Sequence, residues 1–206
     1  MKIGTHQLPA DVTVPDGAKG IVIFAHGSGS SRLSPRNRHV ASALNAVGLA
    51  TVLFDLLTDE EARDRRNVFD IPLLGRRMVE AICAVQSTEN LQHLPIGLFG
   101  ASTGAAAALR AAAELGDQIA AIVSRGGRPD LALEVLDRVT APTLLIVGGF
   151  DEPVITMNET ALAALVCEKR LEIVPGATHL FEEPGTMDRV VDLAGAWFLR
   201  HLRWPE

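Results

Sequence analysis

The chain has 206 residues, 48% of them hydrophobic and 21% charged, with a net charge of −6. That length suits one domain, residues 1–206, with a full hydrophobic core. The acidic balance offers no cationic surface for nucleic acid or an anionic membrane, so neither is expected as a partner.

No stretch reaches 18 uninterrupted apolar residues, and the opening "MKIGTHQLPADVTVP" lacks the apolar centre of a signal peptide. The expectation is a soluble, cytoplasmic protein. Cys83 and Cys167 have no metal-ligand spacing and lie in apolar or amphipathic stretches, which predicts packed free thiols.

The segment "THQLPADVTVP" contains Pro9 and reads as an antiparallel edge strand. "AKGIVIFA" is a buried strand, rich in β-branched residues and followed by glycines. "SPRNRHVASALNAVG" carries a Ser34 cap and Pro35 at the first helical position, and stops at Gly48. "LATVLFDLL" is the next strand. The charged run "DEEARDRRNV", residues 59–68, reads as a solvated loop or short helix. A helix "IPLLGRRMVEAICAVQS" follows, with apolar residues at helical spacing.

The second half continues the alternation. Strand "PIGLFGA" leads into helix "TGAAAALRAAAEL", and strand "IAAIVSRGG" into a short helix near 130–138. Strand "PTLLIVGG" leads into helix "ITMNETALAALVCE", and strand "RLEIVPG" into a closing helix from about Met187 to Leu202. Apolar strands alternating with helices predict an α/β protein, its mostly parallel sheet covered on both faces.

In such a sheet, ligands sit at the carboxyl ends of the strands. Ser102 ends "PIGLFGA", Asp151 follows "PTLLIVGGF", and His179 follows "RLEIVPGAT". The three converge on one edge in the chain order Ser, Asp, His of an α/β-hydrolase triad. Gly100-Ala101-Ser102-Thr103-Gly104 also matches G-x-S-x-G, a strand–turn–helix whose serine is strained and exposed. The plainer alternative is a serine packed in a tight turn. A serine hydroxyl needs a base, which His179 supplies, with Asp151 fixing its tautomer. Glu152 and Asp55 compete for the acid's role. Asp151 is preferred because it follows the glycine pair closing its strand. The backbone N–H of Thr103, next to the nucleophile, is one oxyanion donor.

The stretches "HGSGSS", "GASTG", "GGFDEPV" and "PGATHLF" together resemble the α/β-hydrolase superfamily, and within it the small dienelactone-hydrolase-like members. The resemblance covers essentially the whole chain and implies an α/β-hydrolase fold. It also assigns the second oxyanion donor to the Ser28 N–H, because His26-Gly27-Ser28-Gly29 is similar to the His-Gly oxyanion loops of esterases. His26 then orders that loop. Dienelactone hydrolase uses a cysteine nucleophile, whereas this chain has Ser102, so the resemblance implies a serine esterase acting through an acyl-enzyme. Thioesters and lactones belong to the same chemistry. No cofactor and no metal are implied. "SSRLSPRNR" and "SRGGRPDL" resemble hydrolase-like proteins sometimes joined to a phosphoribosyltransferase domain, which this sequence does not contain. Only residues 128–141 stand where many lipases insert a large lid, so an open site and small or soluble ester substrates are expected.

Arg32, Arg36 and Arg38 follow the oxyanion loop, and Arg125 and Arg128 follow the strand after the nucleophile. Arg32 and Arg125 are the candidates for holding an anionic substrate. The bland alternative, solvated charges and salt bridges to acidic loops, is equally compatible with the sequence. His6, His39, His93 and His201 are read as solvated surface. Two other functions compete. A dinucleotide site would use "IVIFAHGSGSSR" and Asp55, but Arg32 stands where the fingerprint needs its third glycine. A catalytically silent binding or regulatory module on a hydrolase fold is the other. The chain is expected to be a monomer or homodimer.

Overall fold

The structure is a computed structural model and describes residues 1–202; the last four positions of the expected domain lie outside the described residues. Eight strands form one sheet: β1 (Lys2–Ile3), β2 (Leu8–Thr13), β3 (Ile21–Ala25), β4 (Ala50–Phe54), β5 (Ile96–Ala101), β6 (Ile119–Arg125), β7 (Thr143–Gly148) and β8 (Lys169–Val174). Their spatial order is β1-β2-β4-β3-β5-β6-β7-β8. β2 runs antiparallel to β4, and β3 to β8 are parallel. The Pro9 strand is antiparallel, as its sequence predicts, but it is not the edge: β1 pairs with it on its outer side, Lys2 opposite Pro9. The β1 strand, two residues long, is too short to leave a periodic signal.

The helices are α1 (Pro35–Ala46), α2 (Arg65–Val68), α3 (Ile71–Gln86), α4 (Thr103–Leu115), α5 (Glu152–Ala164) and α6 (Thr186–His201). The Ser34 side chain accepts a hydrogen bond from the Asn37 N–H at 3.4 Å, and Pro35 opens α1. Helix α5 begins at Glu152, three residues before the start expected from its apolar run, because Pro153 is tolerated in a first turn.

Strand alternation divides the interior into two layers. Val22, Phe24 and Phe99 pack with Val40, Leu44, Trp197 and Phe198 of α1 and α6. Ile21, Ile23 and Leu98 pack on the opposite face with Met78 and Ile82 of α3 and Leu109 of α4. Both faces are buried, so the central strands have no polar side to alternate with.

Two readings need correction. Cys83 is exposed, because Met78, Ile82 and Val85 take the buried face of α3. His201 is not solvated: its ring packs on Trp197 with centroids 4.5 Å apart, and its side chain keeps 10% of its exposure. The charged run 59–68, open in the sequence between a solvated loop and a short helix, takes the helical form. It forms a 3₁₀ turn at Glu61–Arg63 followed by α2. Buried Arg77 of α3 ties it down, donating to Glu61 at 2.8 Å while also facing Glu80 at 3.2 Å. The Glu61 carboxylate in turn accepts from the Thr58 N–H, and these bonds hold it below its ordinary pKa despite opposing burial.

Candidate active site

At the carboxyl end of β5 the chain turns sharply into α4. Ser102 sits at φ 51°, ψ −124°, outside the basins an L-residue prefers. Neighbours hold it there. Its carbonyl accepts from the N–H groups of Ala105 at 3.1 Å and Arg128 at 3.0 Å. The flanking glycines are steric requirements: a Cβ on Gly100 would lie 2.3 Å from Ala105 Cα, and one on Gly104 would lie 2.2 Å from the Ala25 carbonyl oxygen. The turn therefore presses α4 against β3 and β5 while projecting the serine from the sheet edge.

The other two residues arrive from β7 and β8. The Phe150 N–H donates to the Ala177 carbonyl at 2.9 Å, which fastens the two following loops together. Asp151 is the N-cap residue of α5, yet its side chain makes no capping bond. One carboxylate oxygen lies 2.7 Å from His179 Nδ1 instead. A carboxylate only accepts, so Nδ1 carries the proton and Nε2 is left as the free base. The rival acids are otherwise disposed. Glu152 is exposed, and Asp55 accepts from the backbone N–H and the guanidinium of Arg32, both at 2.7 Å.

Ser102 and His179 line one cavity of about 230 Å³, together with Gly27, Ser28, Asn37 and Arg125. A second cavity of about 390 Å³ lies beside it, bounded by Ser28, Thr103, Leu56, Leu57, Val68 and Leu74. Ser28 borders both. Gly27 lets the loop of residues 26–29 pass directly over Ser102, since a Cβ there would lie 2.9 Å from Ser102 Cβ. Thr103 opens α4, where a backbone N–H has no intrahelical acceptor. His26 braces the loop. Its Nε2 accepts from the Leu56 N–H at 3.1 Å, which leaves Nδ1 to donate to the Gly27 carbonyl at 3.0 Å. Burial lowers the His26 pKa, and that same pair of bonds suits a neutral ring.

The arginines separate clearly. Arg32 is bound to Asp55, Arg36 to Glu182 at 2.9 Å, and Arg128 to Asp130 at 2.8 Å. Arg125 has no carboxylate partner among the described residues. The segment 59–68, read from sequence as solvated, supplies Ala62 and Val68 to the larger cavity. The residues it gives to the cavity follow no sequence periodicity.

A family profile described as "Alpha/beta hydrolase domain" matches residues 18–192. The chain belongs to the α/β-hydrolase family. Within it the chain is dienelactone-hydrolase-like: the structure of a dienelactone hydrolase from Anabaena variabilis is 56% identical with a TM-score of 0.95, over 97% of this chain and 94% of that one. Est1E from Butyrivibrio proteoclasticus shares the fold at 16% identity, with a TM-score of 0.83 over 97% of both chains. Proteins from two strains of Mycobacterium tuberculosis, each named "Putative phosphoribosyl transferase", are 56% identical over 98% of this chain. This α/β-hydrolase chain spans 46% of the length of those curated relatives. Among its described residues, no helix is long and apolar enough to cross a membrane.

Proposed function

We propose that this α/β-hydrolase cleaves carboxylic esters through an acyl-enzyme on Ser102. The observation carrying the proposal is the 2.7 Å bond between Asp151 and His179 Nδ1, on a ring that lines the same cavity as a strained serine. His179 Nε2 takes the Ser102 proton as Oγ attacks the ester carbonyl. The oxyanion forms against the N–H groups of Ser28 and Thr103. His179 then protonates the leaving alcohol, and water repeats the sequence on the acyl-enzyme to release the acid and regenerate the serine.

The 390 Å³ cavity, walled by leucines and Val68, accommodates an apolar substituent of the ester. The dinucleotide alternative loses its ribose-binding acid, because both Asp55 oxygens are held by Arg32. The half of the curated relatives that this chain matches is the hydrolase domain, so we assign the transfer chemistry in their name to their remaining half. The test is turnover of short aryl esters. Ser102→Ala should lower kcat by about 10⁶ while thermal stability stays near wild type. Near-native turnover by that variant would end the proposal.

A further inference from the structure

The cavity that holds Ser102 and His179 has one unusual wall. Arg125, at the end of β6, is only 8% exposed, and its one side-chain hydrogen bond among the described residues is a 3.4 Å contact from Nη2 to Asn37 Oδ1. Its Nε and Nη1 atoms are buried without hydrogen-bond partners among the described residues. Arg36 adds a second positive charge nearby, and burial followed by that repulsion lowers the Arg125 pKa to about 10, so it is a cation at neutral pH. No carboxylate side chain lines the cavity among the described residues. A buried guanidinium without an anion is costly and is normally paired. Arg32, Arg36 and Arg128 each have such a partner, which makes Arg125 the exception.

We propose that Arg125, with Asn37, forms an oxyanion-binding subsite for a carboxylate or phosphate monoester on the substrate. The inference rests on reading this cavity as the substrate site. It adds a division of labour: the anionic end lies against Arg125, the apolar end lies in the leucine-walled cavity, and the scissile carbonyl lies between them at Ser28. Register supports the reach, because Arg125 pairs with Ala101, the residue before the nucleophile. A planar, five-donor guanidinium suits a bidentate oxyanion.

Binding to a Ser102→Ala chain tests this without any hydrolysis, so a failed nucleophile assignment would not be confused with a failed subsite. The probes for calorimetry are benzoate, phenyl phosphate and neutral methyl benzoate. At least one anion should bind about tenfold or more tightly than the methyl ester, the range of a charge-assisted hydrogen bond. Whichever anion leads identifies the group the subsite takes. Arg125→Gln should abolish the preference, whereas Arg125→Lys should keep part of it. Asn37→Asp offers the same guanidinium an internal carboxylate, and should remove the preference while raising Tm. Equal affinity for anions and methyl ester would overturn the subsite, as would an undiminished preference in Asn37→Asp.

Discussion

Replacing Asp151 by asparagine changes one oxygen for an amide nitrogen and leaves the shape of the site intact. In the proposed mechanism His179 accepts the serine proton and becomes an imidazolium beside the carboxylate, whose oxygen lies 2.7 Å from Nδ1. Asp151 retains 13% side-chain exposure and His179 38%, so the pair is partly screened. At an effective dielectric constant near 20, opposite charges about 4 Å apart attract by about 4 kcal/mol. Removing that from the transition state alone slows the reaction by about 10³. The asparagine amide can also turn its N–H₂ toward Nδ1, which puts the proton on Nε2 and leaves no base. The same substitution in a known triad enzyme costs about 10⁴. The expected loss in kcat/KM on 4-nitrophenyl acetate is therefore about 10³ to 10⁴. The exposed neighbour Glu152, changed to glutamine, should alter it by less than about threefold. An Asp151→Asn enzyme keeping more than a tenth of its activity would refute the role given to Asp151.

Other consequences follow from the surroundings of the site. His26 has a pKa lowered by burial, so the unfolded chain binds the extra proton first and stability falls as pH drops below about 6.5. His201, lowered by burial against Glu168's opposing pull, acts in the same direction, and comparison of wild type with His26→Gln isolates the His26 share. Thermal melts from pH 7.5 to 5 should show a shallower decline in the variant; parallel curves would contradict the buried neutral ring. Gly104→Ala would force a methyl to within 2.2 Å of the Ala25 carbonyl and should destabilise by about 3 kcal/mol, read by urea unfolding. A loss under about 0.5 kcal/mol would show that α4 does not press on β3 as described. Val68→Trp narrows the leucine-walled cavity and should reduce turnover of bulky esters relative to acetates, measured as a ratio of kcat/KM; an unchanged ratio would place the apolar group elsewhere.

The alternation of apolar strands and helices was legible because parallel strands buried on both faces read as continuous apolar runs. The sharp turn at Ser102 was legible because its glycines answer a local steric demand. The carboxylate that meets His179 was harder. Asp55 and Asp151 both follow strands, and only the long-range contact of Asp55 with Arg32 removes the first from competition. The same fact divides the arginines, since nothing local distinguishes the paired Arg32 from the unpaired Arg125. The run 59–68 stayed open between a solvated loop and a short helix for a related reason. Its charges are exposed on one side and tied to buried Arg77 on the other, and that partner lies on a different helix. Cys83 sits one position from Ile82 on an amphipathic helix, where a shift of one residue changes burial completely.

The central claim, that Ser102 is an activated nucleophile, is tested most directly by intact mass after exposure to a fluorophosphonate probe. One adduct on the wild-type chain, none on Ser102→Ala, and sharply slowed labelling of His179→Ala is the expected result. No adduct on folded wild type would contradict the account and favour a silent binding module on this fold, and an adduct that persists in Ser102→Ala would contradict it by placing the activated nucleophile at another residue.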